Sequence, residues 1–187
     1  KVDILFVVDN STSMRRDQKN IGSQFSNFIS SIALSDYRIG FINTDVSSPG
    51  TEDKEGFFGN LKSVGQNGEI YIDSSMSNVS SLFKHAITKQ VESPCSVQGR
   101  ECHEEPMRAV LHALSKKFTV NSGFFRSDAN FSIVILTDED EGSNGVNAIE
   151  PEAFYEHLKI NSGITADKIT SFVIAVPPGD KKCLRKQ

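Results

Sequence analysis

Tryptophan is absent from this sequence, tyrosine and cysteine each occur three times, and no apolar run approaches the length of a membrane-spanning helix. The lack of such a run argues against insertion into a membrane. Neither sign of charge dominates, because 24 acidic residues against 20 basic ones leave a net charge of −4. This balance argues against non-specific binding to nucleic acid or to an anionic membrane surface.

Several motifs of catalytic and metal-binding proteins are also missing. The sequence has no GxxxxGK[ST] loop and no GxGxxG loop, which disfavours nucleotide chemistry. No arrangement of Ser, His and Asp indicates a nucleophilic triad. No second CxxC or HxxxH stands near the cysteines, so a zinc site is disfavoured as well. These absences disfavour nucleotide-dependent enzymes and hydrolases with a Ser–His–Asp triad.

What is present fits one globular domain. Hydrophobic residues make up 37% of the 187 residues and charged residues 24%, which is ordinary for a folded soluble chain. There is no internal repeat, low-complexity tract or linker-like segment. We predict a single domain over residues 1–187.

The spacing of the cysteines indicates in which kind of cellular compartment the protein is expected. Cys95 and Cys102 lie seven residues apart in the polar stretch PCSVQGREC. We interpret them as a small disulfide loop, which implies an oxidising compartment, and two free thiols are the alternative. Cys183 is then left over, and it can pair with a cysteine that this chain does not contain.

Strand-like runs alternate with helical patterns almost throughout. Alternation of this kind indicates an α/β fold with a mostly parallel sheet. The patterns predict strands at 3–8, 37–43, 131–136 and 170–176, an edge hairpin ending at 69–73, and helices at 14–32, 78–89, 104–118 and 152–160.

The helix after the first strand shows one clear face. This face carries seven residues, six of them apolar and most of them three or four positions apart: Met14, Gln18, Ile21, Phe25, Phe28, Ile29 and Ile32. The exception is Gln18. Such a stripe predicts a helix that packs against the sheet.

Two of the predicted strands end in acidic loops. The first strand runs into DNSTS, which places Asp9, Ser11 and Ser13 two residues apart, and the strand FSIVIL runs into Asp138. The carboxyl ends of parallel strands meet at one edge of a sheet. Carboxylates and hydroxyls suit a hard divalent cation such as Mg²⁺, Mn²⁺ or Ca²⁺. The alternative is that Ser13 caps the following helix and that nothing binds there.

The motif DNSTS and its setting resemble von Willebrand factor A domains. The DxSxS motif of that family follows a buried strand, precedes a long amphipathic helix and forms a metal-ion-dependent adhesion site. ILTDE at 135–139 resembles the later strand that supplies the last ligand, here Asp138. The resemblance covers roughly residues 2–176 and implies a doubly wound sheet with helices on both faces, as in a three-layer sandwich.

The chain departs from the family in two places. The loop before the 104–118 helix lacks the family's Thr ligand, and Glu101 or Glu104 stands there instead, which is similar to a pattern in bacterial members. The family sheet also has a further helix and strand after residue 176. We expect a truncated or cleaved chain, or a last strand supplied by another segment that Cys183 ties covalently.

The resemblance implies adhesion or protein binding. The cation keeps one open coordination position, which an Asp or Glu of a partner protein completes. Such a module is expected outside the cell, on the cell surface or in the periplasm. Thr44, Asp45 and the segment 140–143 are candidates for the rim of the site.

Two other functions remain open at the level of sequence. One is a structural A domain with a closed metal site, used in surface or pilus assembly. The other is a magnesium-dependent phosphatase with Asp9 as nucleophile, although such enzymes have a second acid where this chain has Ser11.

Overall fold

The computed structural model describes residues 1–11, 14–46, 52–65, 67–88, 104–138 and 149–174. These residues form an α/β fold around a mixed, mostly parallel sheet of five strands. The strands are β1 (Val2–Val8), β2 (Tyr37–Asn43), β3 (Ile72–Asp73), β4 (Asn130–Leu136) and β5 (Ile169–Ile174). The helices are α1 (Arg15–Ile32), α2 (Val79–Thr88), α3 (Pro106–Ser115) and α4 (Pro151–Ser162).

The sheet order is β3-β2-β1-β4-β5, which puts the first strand in the middle. β1 runs parallel to β2 on one side and to β4 on the other, and β5 extends the parallel part beyond β4. β3 pairs antiparallel with β2 and forms the opposite edge of the sheet. The sequence predicted an edge hairpin that ends in this part of the chain. The predicted α/β class and mostly parallel sheet are confirmed.

Side chains of β1 alternate between two cores. Ile4, Phe6 and Val8 belong to an apolar cluster with residues of α1 and α2. Leu5 and Val7 belong to a second cluster with residues of α3 and α4. A strand buried on both faces needs apolar residues at every position, and this explains the continuous run ILFVV.

The first of these two faces is covered only in part by described residues. Between α1 and β5 lies an open apolar groove of about 930 Å³. Its floor includes side chains of β1, β4 and β5, among them Phe172, which is 56% exposed. None of the helices in the described part of the chain is long and apolar enough to cross a membrane.

Two predicted helix boundaries are wrong. The helix expected at 104–118 begins at Pro106 and ends at Ser115, and no acidic residue lies in its first turn. Glu104 instead forms an isolated antiparallel bridge with Asp45. Pro106 suits the first helical position because it lacks the N–H group that would have no partner there. Phe118 lies beyond the helix and is exposed.

Candidate functional site

The site predicted from the sequence lies where three strands end side by side. β1 pairs in register with β2 and with β4, so the three strands end level with one another. The residues that follow are Asp9, Thr44 and Thr137, and all three are buried. Oxygen-bearing side chains therefore form a row at the middle of the carboxyl edge of the sheet.

Asp9 is held by hydrogen bonds on both carboxylate oxygens. The backbone N–H of Ser11 donates to Oδ1 at 2.7 Å, and the Thr137 hydroxyl donates to Oδ2 at 3.0 Å. The Asp9 side chain has no solvent exposure. A carboxylate has about four lone-pair positions, so each oxygen can still accept a further donor or bind a cation. The carboxylate is fixed in place and keeps capacity to act as a ligand.

The register of β1 and β4 also brings the second acidic loop to Asp9. Asp138 directly follows Thr137, the residue whose hydroxyl contacts the Asp9 carboxylate. Ser11 and Asp138 are both partly exposed, whereas Asp9 is fully buried. The structure thus places Asp9, Ser11 and Asp138 at one edge, with the most buried group at the centre.

Glu104 lies at the same edge, beside the end of β2. It is 3% exposed, and its antiparallel bridge partner Asp45 is 1% exposed. The next residue, Glu105, donates its backbone N–H to the carbonyl of Thr44 at 3.0 Å. The two residues directly before α3 are therefore anchored to the end of β2 by main-chain contacts. The rim candidates Thr44 and Asp45 are buried residues of this junction.

Two residues that hold Asp9 were not assigned to the site from the sequence. Thr137 bonds its carboxylate, and the side-chain amide of Gln18 donates to its backbone carbonyl at 2.8 Å. A signal for Gln18 was present, since it is the polar exception in the apolar stripe of α1. Thr137 carried no such signal, because its proximity to Asp9 depends on the pairing of β1 with β4.

The donor set is one of oxygen atoms and fits a hard cation in chemical type. Buried oxygens of Gln18, Asn43 and Thr44 have no hydrogen-bond partner among the described residues, which is unusual for buried polar atoms. Within the same residues, however, no three His, Cys, Asp or Glu side chains come together as a metal-binding group.

Some predicted residues lie outside the described part of the chain. They are Ser13 and Glu101 of the predicted ligand set, the cysteines Cys95, Cys102 and Cys183, and the rim segment 140–143. The same holds for whatever follows residue 174. The predicted disulfide and the choice between Glu101 and Glu104 stay predictions.

The helix-cap alternative stays open, because Ser13 lies outside the described part of the chain. The helix begins at Arg15, and its N-cap position is Met14, which makes no side-chain capping hydrogen bond. Ser13 precedes that position. The Asp9 carboxylate is engaged by Ser11 and Thr137, at the strand end.

Comparison with known proteins gives remote structural similarity only. The sequence matches no protein-family model and no curated protein. Among solved structures, the chain is similar to proximal thread matrix protein 1 from the mussel byssus, with 14% identity over 94% of this chain and 38% of that one, at a TM-score of 0.49.

Two pilus proteins are similar at a lower level. The adhesive tip pilin GBS104 from Group B Streptococcus agalactiae has 14% identity over 74% of this chain and 45% of that one, at a TM-score of 0.41. The pilus adhesin RrgA from Streptococcus pneumoniae has 13% identity over 83% of this chain and 24% of that one, also at 0.41. The chain thus spans less than half the length of each of the three. Similarity this remote does not indicate a function.

Proposed function

We propose that this chain is a divalent-cation-dependent protein-binding module with the metal-ion-dependent adhesion site of a von Willebrand factor A domain. One observation carries the proposal. A fully buried aspartate, Asp9, lies at the tip of the central strand, and its carboxylate is oriented by Ser11 and Thr137 while Asp138 follows on the neighbouring strand. Because DNSTS resembles the DxSxS motif of the family, we interpret this arrangement as part of a metal site.

In this proposal, the ligands come from three loops. Asp9, Ser11 and Ser13 contribute from the end of β1, Asp138 from the end of β4, and Glu104 or Glu101 from the loop before α3. A bound Mg²⁺, Mn²⁺ or Ca²⁺ supplies a positive centre with an open coordination position that attracts a carboxylate. The role of the chain is to hold the ligand oxygen atoms at fixed positions. For Asp9, the pairing of β1 with β4 brings the Thr137 hydroxyl to its carboxylate.

The family resemblance extends the proposal to the partner, the fold and the location of the protein. The partner is a protein that presents an Asp or Glu, and the chain itself carries out no catalysis. The sheet is doubly wound in the manner of A domains. The protein acts outside the cell, on its surface or in the periplasm, with Cys95 and Cys102 paired and Cys183 available to a further segment.

We expect divalent cations to stabilise the chain through Asp9. After chelation, addition of Mg²⁺, Mn²⁺ or Ca²⁺ should raise the midpoint of thermal unfolding of the wild type in a dose-dependent way. Mass action predicts about 2.7 kcal/mol of added stability at roughly a hundredfold excess over Kd. The variant Asp9→Asn should show no shift, because a neutral amide replaces the central anionic ligand.

Asp73 offers a matched control. The backbone N–H of Ser75 donates to its carboxylate at 2.8 Å, which is the same Asp-x-Ser turn that Asp9 makes with Ser11, but at an exposed position. The variant Asp73→Asn should therefore keep the full response to the ion. If the wild type responds to none of the three ions, the proposal is wrong. If Asp9→Asn responds as the wild type does, the ion binds elsewhere.

A further inference from the structure

Gln18 occupies a position where packing alone favours an apolar residue. It belongs to the stripe of α1 that faces the sheet, and its side chain has no solvent exposure. Phe25, on the same face, is 3% exposed and belongs to the apolar core between α1 and the sheet. A buried amide must find hydrogen-bond partners or destabilise the fold. The amide of Gln18 therefore needs an explanation.

The amide has one clear partner, the main chain of Asp9. Its Nε2 donates to the Asp9 carbonyl at 2.8 Å, while the Asp9 N–H donates to the carbonyl of Leu136 at 2.9 Å. β1 ends at Val8, so this carbonyl lies just past the regular ladder. Gln18 supplies a donor there and links the start of α1 to the tip of the central strand.

This contact restrains the orientation of the carboxylate. The Asp9 carbonyl belongs to the peptide group that leads into Asn10 and Ser11, and the N–H of Ser11 is the donor to Oδ1. The Ser11 N–H belongs to the next peptide group. A change in ψ of Asp9 or in φ of Asn10 that the other angle does not compensate would therefore move this N–H and release the carboxylate from one of its donors. The amide of Gln18 opposes such a change without touching the carboxylate.

We propose that Gln18 is a positioning residue of the cation site, which holds the peptide after Asp9 so that the carboxylate is presented in one orientation. The inference rests on the proposed function. Residues that orient a metal ligand without contacting the metal commonly contribute a factor of about 10 to 100 in metal affinity. Gln18 has this role through a main-chain contact.

The test is the variant Gln18→Met, which has nearly the same shape, suits the apolar stripe and cannot donate a hydrogen bond. The probe is Mn²⁺ alone, titrated by calorimetry into wild type and variant at a temperature where both are folded. We expect Kd for Mn²⁺ to rise by about tenfold or more in the variant. Urea unfolding in chelator measures the stability of each protein separately.

Phe25→Leu serves as the control for general weakening of α1. It lies on the same helix face and its ring stacks on that of Phe83 in the apolar core. It should lower the unfolding midpoint in urea and leave Kd for Mn²⁺ unchanged. A second variant, Gln18→Leu, should weaken Mn²⁺ binding like Gln18→Met, since both lack the donor.

Three outcomes would overturn the inference, and they are distinguishable. An unchanged Kd in Gln18→Met, with a wild type that binds Mn²⁺, shows that Gln18 does not position the ligand. An equal loss of affinity in Phe25→Leu shows that the effect comes from helix stability. A wild type that does not bind Mn²⁺ removes the proposed function itself, and the inference with it.

Discussion

Replacement of Gly59 by alanine is expected to lower the free energy of unfolding by about 4 kcal/mol, the sum of a close contact and a strained backbone. A Cβ at this position would overlap the backbone N of Ala113 and lie 2.8 Å from the carbonyl oxygen of Ala109. Both atoms belong to the main chain of α3, so no side-chain rotation can relieve the clash. Gly59 also has φ of +73°, which L residues disfavour. Urea unfolding measures the loss.

Gly68 is a control that separates the effect of the close contact from the effect of the strained backbone. Its φ is +84°, but a Cβ there would meet no atom of the described residues within 4 Å. Gly68→Ala should therefore lower the unfolding free energy by only about 1 kcal/mol, from backbone strain alone. If the two variants lose equal stability, the close approach of residues 57–59 to α3 does not contribute.

Loss of the Arg126 side chain is expected to remove about 3 kcal/mol of stability, because it leaves a buried carboxylate without its charged partner. Nε of Arg126 donates to Asp3 Oδ1 at 2.8 Å, and Asp3 is fully buried. The guanidinium also donates to the Asp36 carboxylate at 2.6 Å and to the carbonyl of Val2 at 3.1 Å. Urea unfolding of Arg126→Met at neutral pH measures this loss.

The size of that loss should depend on pH. Burial raises the pKa of Asp3, and the hydrogen bonds and charge of Arg126 act in the opposite direction. Without Arg126 the pKa of Asp3 rises further, so the folded variant is favoured when Asp3 is protonated. Its stability then falls as pH increases above the usual range of an aspartate. The difference between wild type and variant should therefore be smallest in acid and largest near neutral pH.

Asp36 also makes the stability difference between wild type and Arg126→Met larger near neutral pH than in acid. A hydrogen bond from Arg126 lowers the pKa of Asp36, so this stabilisation is present above the usual pKa of the group and is lost as pH falls. The variant lacks it throughout. A difference that is constant between acid and neutral pH would contradict the assigned role of Arg126.

Lys1 provides a control at the same end of the sheet. Its ammonium contacts Asp128 at 2.6 Å, but both side chains are largely exposed. Ion pairs between exposed side chains are screened by solvent and contribute little to stability. Lys1→Met should therefore leave the urea midpoint close to that of the wild type, so that burial and not charge pairing distinguishes Arg126.

The candidate site was predictable where its residues are close in sequence. Asp9 and Ser11 follow β1, and their turn is a local one made within three residues. Asp138 follows β4 in the same way. That both loops lie at one edge follows from parallel pairing, which the alternation of strands and helices indicates.

The contacts that Asp9 makes with residues outside its own loop were not predictable. Thr137 reaches Asp9 across 128 residues of sequence, and the amide of Gln18 reaches its carbonyl from the next helix. Glu104 was predicted to lie in the first turn of the 104–118 helix, where acidic residues are favourable. Its bridge to Asp45 shows that strand pairing prevailed over the local preference for a helix start.

The order and type of the elements and the acidic strand ends were predictable, because apolar periodicity and strand-end turns are properties of neighbouring residues. Which polar groups meet depends instead on tertiary packing. The pairing of Arg126 with Asp3 and the contact of Gln18 with Asp9 both depend on how separate elements pack. Such contacts involve a few groups far apart in the chain, so no local pattern records them.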